Sequence, residues 1–379
     1  AGTTVGTLTL VDPGNAVAAA PPKPAPNIDP AKVGTKLWEF QTQSEGQFNT
    51  SPSLSPEGIL YFSGGKERKL YAVDAVTGQE VWTHTGKNGG FSKPSIDADG
   101  RIYLAGGNKI HAFDGRTGAP LWQFQMGSDA YPFPTLDGKG RLYLGSNDRK
   151  FYAINTGDGS KAWEFRAGGE IHMDSALSTD GIVYFASEDS HVYALNSADG
   201  SEIWKTRTGS RARCCVALGS DGTVYVGSEP NNVYAMNGKT GEIKWNFKTT
   251  SEVNPGLALG ADNTVYVVAR GKWIRVAGQP NDRSPGKTYA LDGATGESKW
   301  EFPNGGSSVP ALGSDGTVYF GSWDGNFYAL DAATGAKKWA FETGAKIDMS
   351  STLIGPTGIV YIGSTDGRMY AFQGSSGPA

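Results

Sequence analysis

Residues 317–339 read TVYFGSWDGNFYALDAATGAKKW. A strand rich in β-branched and aromatic residues, TVYFGS (317–322), leads through a tight turn into a second strand and turn, FYALDAATG (327–335), and Trp339 follows four residues later. The same order recurs along the chain. The cores ILYFSG (59–64), RIYLAG (101–106), RLYLGS (141–146) and IVYFAS (182–187) match it, as do TVYVGS (223–228), TVYVVA (264–269) and IVYIGS (359–364). Trp82, Trp122, Trp163, Trp204, Trp245, Trp300 and Trp339 follow at successive intervals of 40, 41, 41, 41, 55 and 39 residues. A period near forty with four short strands per unit is the signature of a β-propeller blade.

Trp38, in LWEF, precedes the first full unit, and the last unit stops at MYAFQG without a tryptophan. The two facts fit if the strand around Trp38 completes the last blade, which removes an exposed sheet edge. The expected fold is all-β: an eight-bladed β-propeller of four-stranded antiparallel blades over residues 36–374. An N-terminal tail (1–35) and a short C-terminal tail (375–379) flank it. The eight tryptophans are expected to pack between blades, not to form an exposed sugar-binding ring.

Composition agrees with many tight turns between short strands: 379 residues contain 54 Gly, 10 Trp and 16 Tyr, with 19% charged residues. A net charge of −4 without clustered Lys/Arg argues against nucleic acid. No apolar run approaches the roughly 18 residues of a spanning helix. The four histidines, His84, His111, His172 and His191, are scattered, so no metal site is expected.

The run YALDAATGAKKWAF (328–341), with YAVDAVTGQEVW (71–82) and YALDGATGESKW (289–300), resembles the repeat of the pyrroloquinoline quinone (PQQ)-type propellers. The resemblance covers residues 37–373. It implies one of three kinds of protein: a quinoprotein alcohol dehydrogenase with PQQ and calcium, a BamB-like assembly scaffold, or a sensor domain. A fold alone does not choose among them.

Cys214 and Cys215 are the only cysteines and adjoin each other. They follow TGSRAR, where a loop enters the innermost strand of blade five, near the mouth of the central channel. Aligning the units sets Cys215 level with Ser51, Lys93, Phe133, Asp174, Gly256 and Val309. The resemblance implies a vicinal disulfide covering a quinone. In the dehydrogenases, however, the pair is followed by an Asp and an Asn-Arg-Gly run, whereas Val216, Ala217 and Leu218 follow here. The other reading is two small apolar residues filling a crowded strand.

The same level in all blades supplies a ring of unlike side chains on an invariant framework. Asn49, Lys93, Tyr131, His172 and Asp174 come from the early blades, and Arg211, Arg213, Glu252, Asn254, Lys346 and Asp348 from the later ones. Arg68, Arg149, Asn231, Trp323 and Asp324 are placed on the same rim. With Cys214, Cys215 and Trp323 this ring is the candidate site for a polar or anionic ligand, because Arg can hold carboxylates in a bidentate way. His172 and Asp174 could make a base and its orienter, but no nucleophile accompanies them, so no catalytic residue is assigned. DADG (97–100) reads as a hairpin turn, not a calcium loop.

The 55-residue interval holds the one large departure, ARGKWIRVAGQPNDRSPGKT (269–288), with Trp273, Ile274 and Arg275 as candidate partner contacts. The Ala/Pro-rich segment 16–30 reads as an extended tether. The expected function is a non-enzymatic, extracytoplasmic binding or scaffold module, monomeric, recognising a protein or a small polar ligand. The alternatives are a PQQ- and calcium-dependent dehydrogenase and a sensor domain of a larger membrane protein.

Overall fold

The computed structural model describes residues 29–42, 51–64, 68–86, 91–212, 214–271, 273–274, 282–283 and 286–379. Eight four-stranded antiparallel sheets form the blades of an eight-bladed β-propeller, as the repeat predicts. Blade seven shows the plan: inner strand Ala311–Leu312, then Thr317–Gly321, Asn326–Asp331 and outer strand Lys337–Glu342. Blade eight takes three strands from Leu353–Ile354, Ile359–Ser364 and Arg368–Gln373, and its outer strand, Lys36–Gln41, from the N-terminal side. The register there is antiparallel, with Trp38 opposite Ala371.

The DAATG turn follows from its residues. Asp331 Oδ1 accepts from the backbone N–H groups of Ala333 and Thr334 and from the Thr334 hydroxyl, at 3.1, 2.9 and 2.9 Å. This is an Asx-type turn. Gly335 then takes φ +72°, and a Cβ there would stand 2.7 Å from the Trp300 ring of the preceding blade. The glycine therefore serves both the turn and the blade interface.

A bulge between Ala329 and Leu330 in the third strand sets Trp339 opposite Ala329 and lets the outer strand turn its indole toward the next blade. The first seven full blades repeat it. Trp82 Nε1 donates to Gly115 O, Trp163 to Ser197 O and Trp300 to Ala332 O, at 2.9, 3.0 and 2.8 Å. The tyrosine of the same blade's second strand often shares that carbonyl, as Tyr61 does with Gly115 and Tyr184 with Gly238. The tryptophans thus pack between blades, although only Trp204 is buried; the others are half-exposed at the outer edge. The second strands are buried on both faces, whereas outer strands alternate exposed and half-buried positions.

The C-terminal segment returns to the ring. Ser375 Oγ lies 2.8 Å from the Tyr319 hydroxyl, and Ala379 N donates to Leu312 O at 2.9 Å. Residues 375–379, expected to be a tail, are a strap across blade seven. Among the described residues no helix is long and apolar enough to cross a membrane.

Candidate functional site

One residue at the start of each inner strand falls at the same level of the repeat: Ser51, Lys93, Phe133, Asp174, Cys215, Val309 and Ser351 just before the strand, and Gly256 within Val253–Leu259. Neighbours in this ring touch across blade boundaries. The Ser51 and Ser351 hydroxyls are 2.8 Å apart, joining blades one and eight. Lys93 Nζ lies 4.9 Å above the Phe133 ring, a cation–π contact between blades two and three.

Asp174 is the centre of this arc. Its Oδ1 accepts from Phe133 N at 3.0 Å, and its Oδ2 accepts from the Cys215 thiol at 3.1 Å. Burial pushes the Asp174 carboxyl up to about 6, against the pull of the Cys215 bond, the Phe133 N–H and the Lys93 charge. Burial likewise lowers the Lys93 ammonium, and Asp174 and Cys215 partly offset it. All three side chains are half-buried. The arc brings together a fixed acid, a cation and a thiol in a largely desolvated setting.

The cysteines do separate jobs. Adjacent residues of an extended strand point to opposite faces. Cys214 is fully buried among the side chains between blades five and six, next to Gly227 and Val253. Cys215 faces Asp174 instead. Both are thiols, so the vicinal disulfide implied by the dehydrogenase resemblance is absent from this arrangement. Burial pushes Cys214 up to about 12 and Cys215 well above the ordinary thiol range, where the Asp174 charge adds to it. Cys215 is a proton donor here, not a nucleophilic thiolate.

A second cluster occupies the rim over blades six to eight. Trp323 Nε1 donates to Asp348 Oδ1 at 2.9 Å, and Lys346 Nζ lies 3.0 Å from Asp348 Oδ2. The Arg270 guanidinium and the Lys346 ammonium lie 5.5 and 5.6 Å from the Trp323 ring centroid. Arg270 also donates through Nε and Nη2 to Ser307 Oγ, at 3.0 and 2.8 Å, and approaches Glu252 at 3.9 Å. The indole is thereby held in one orientation with two cations near its ring.

The remaining sequence candidates divide. Tyr131 is 62% exposed and stacks on His172 at 6.3 Å. His172 does not reach Asp174; its Nε2 faces Glu170 Oε2 at 2.9 Å and Glu188 Oε1 at 2.8 Å. Arg211 is exposed on the rim of blade five. Asp324 belongs to the framework, accepting from Asn326 N and from the Tyr328 hydroxyl at 2.9 and 2.6 Å. Asn49, Arg213 and Arg275 lie outside the described residues. For Asn254, Trp273 and Ile274 the backbone alone is described: Asn254 lies in Val253–Leu259, and Trp273–Ile274 pairs with Asp282–Arg283 as a small hairpin of the insertion. Sequence reading passed over Glu170, Glu188 and Arg270. Their signal was register: each occupies a rim position whose side chain varies from repeat to repeat, although Glu188 matches Glu229 of blade five.

Comparison with solved structures agrees with this fold. BamB from Moraxella catarrhalis superposes with a TM-score of 0.71 at 16% identity, covering 89% of this chain and 99% of that one. The computationally designed Ika8 protein gives 0.73 at 18%, with the same coverages. Quinohemoprotein alcohol dehydrogenase from Comamonas testosteroni gives 0.71 at 14%, covering 91% of this chain and 77% of that one. At these identities the likeness is one of fold. No curated protein is significantly similar in sequence. The family model described as outer membrane protein assembly factor BamB matches residues 27–133, 106–218, 188–279 and 271–379, and the chain belongs to that family of PQQ-repeat propellers.

Proposed function

We propose that the chain is a non-enzymatic, extracytoplasmic scaffold propeller that binds a protein partner through the channel-mouth rim of blades six to eight. The observation that carries this reading is Trp323, fixed by Asp348 with Arg270 and Lys346 near its ring, where the insertion leaves blade six. Trp and Arg are the residue types that most often dominate binding energy at protein interfaces. An aromatic already held in its rotamer loses little entropy when a partner covers it. Membership of the BamB family supports the same reading, because the protein for which that family is described is an assembly factor.

The dehydrogenase alternative asks the channel mouth to hold PQQ with calcium. Calcium takes 6–8 oxygen ligands. Of the eight residues at the Cys215 level, Asp174 alone carries a carboxylate, and it is already engaged by the Cys215 thiol and the Phe133 N–H and faces Lys93. These residues do not fit the group.

Two experiments separate the readings. Proximity cross-linking in the native host should capture the same partner with the intact chain and lose it with Trp323→Ala or with residues 271–285 removed, which leaves the paired strands Val265–Ala269 and Lys287–Leu291 whole. Equal capture by all three would overturn the assignment of this rim. Calorimetric titration with PQQ plus calcium should give no heat; tight binding would restore the quinoprotein reading.

A further inference from the structure

We propose that Glu170, His172 and Glu188 form a binding site for a divalent transition-metal ion, of which zinc is the best fit, on the rim of blade four. The three donor atoms, His172 Nε2, Glu170 Oε2 and Glu188 Oε1, lie within 4.8 Å of one another. Nε2 stands 2.9 and 2.8 Å from the two carboxylate oxygens. It is shut off from solvent and has no hydrogen bond of acceptable geometry among the described residues. One imidazole nitrogen can donate one proton, and here it faces two anionic oxygens. A cation at the point where the three converge takes the imidazole nitrogen and an oxygen of each carboxylate as ligands.

The frame holds the donors before any metal arrives. Ile171, between two of the ligands, is fully buried against Gly145, which turns Glu170 and His172 outward together. Glu188 N donates to Glu170 O at 2.9 Å, tying the loop into blade four to the loop after its second strand. Gly168 N donates to Asp189 Oδ2, also at 2.9 Å, and doubles the tie. Tyr131 covers one side of the imidazole.

The propeller framework does not require this donor set. The same three places hold Asp129, Tyr131 and Asn147 in blade three, and Arg211, Arg213 and Glu229 in blade five. One imidazole with two carboxylates suits zinc or manganese better than calcium, whose sites are built from many oxygens. Glu170 is 47% exposed, against 17% for His172 and 16% for Glu188. The site therefore opens on the Glu170 side, leaving coordination positions for water or a ligand donor, the pattern of three-ligand zinc sites.

The test is calorimetric titration of the chelator-treated full chain with zinc chloride near neutral pH, repeated with His172→Ala, Glu188→Gln and Glu170→Gln. The expected result is one equivalent bound by the parent and affinity at least tenfold weaker in each variant. The cobalt(II)-substituted protein should show no thiolate charge-transfer band, which excludes Cys214 and Cys215 as ligands. Absence of binding to the parent, affinity unchanged across the variants, or a thiolate band would each overturn the site. Should His172→Ala fail to fold, Glu170→Gln carries the test, because its carboxylate lies on the surface. Partner capture through Trp323 is a separate readout, so the two proposals can fail independently.

Discussion

The Cys215 thiol donates to Asp174 Oδ2 across the boundary between blades five and four, while its neighbour Cys214 is sealed between blades five and six. The adjacent cysteines are therefore chemically unlike, and three measurements follow. Intact mass should be unchanged by reductant; a gain of two hydrogens would reveal a bond between them. Cys215→Ser keeps a donor to Asp174 and should leave stability nearly unchanged. Cys214→Ser buries a hydroxyl among apolar side chains and should cost about 1–3 kcal/mol in urea unfolding.

Gly159 takes φ +75°, and a Cβ there would meet Trp122 at 2.6 Å. Gly58 takes φ +82° but has nothing within 4 Å of its Cβ direction. Gly58→Ala should cost about 1–2 kcal/mol for the left-handed backbone alone. Gly159→Ala should cost about 1–3 kcal/mol more, because the indole must move. Equal losses in urea unfolding would mean that the tryptophan is not held against the turn.

Trp122 Nε1 donates to Thr156 O at 2.9 Å, whereas Trp339 Nε1, at the seam with the N-terminal segment, has no acceptor among the described residues. Replacing each with Phe removes similar apolar area but only one hydrogen bond. Trp122→Phe should be the more destabilising by about 1 kcal/mol. A larger loss at Trp339 would reveal an acceptor there.

Burial raises the inter-blade phenols: Tyr61, Tyr225 and Tyr266 are each pushed up to about 12 from an ordinary value of 10.0. A group whose pKa is raised by folding contributes its full stability below the unfolded value and loses it as pH rises through the folded one. Stability should therefore be level on this account up to about pH 10 and fall steeply toward about pH 12. Tyrosinate absorbance should appear together with loss of the sheet signal in circular dichroism. Tyrosinate forming well before unfolding would contradict the burial of these phenols.

The architecture was legible because the repeat writes each structural device several times. Asp-x-x-Thr-Gly marks the turn, Gly335 the place where Trp300 docks, and Trp38 the missing strand of blade eight. The sites were harder to read because they occupy places where the repeat is silent. Register placed Lys93, Phe133, Asp174 and Cys215 on one level, but it carried no information on which neighbours would touch. His172 and Asp174, two apart in sequence, turned to different partners because Ile171 and the loop after Glu188 fix one and the channel ring fixes the other. The role of residues 375–379 also escaped, since the strap is held by contacts such as that of Ser375 with Tyr319, 56 positions away.

The strand that completes blade eight has a consequence for how the molecule is made. Thr42 hydrogen-bonds Gly367 across 325 positions of sequence. Blades one to seven can each assemble from contiguous chain as it leaves the ribosome, but Lys36–Gln41 must wait for Arg368–Gln373. Contacts so distant in sequence form late, because the loop they close is nearly the whole propeller. Until then both ends of the nascent ring carry open sheet edges, and a chaperone that shields the waiting strand would act at the step that decides between closure and aggregation.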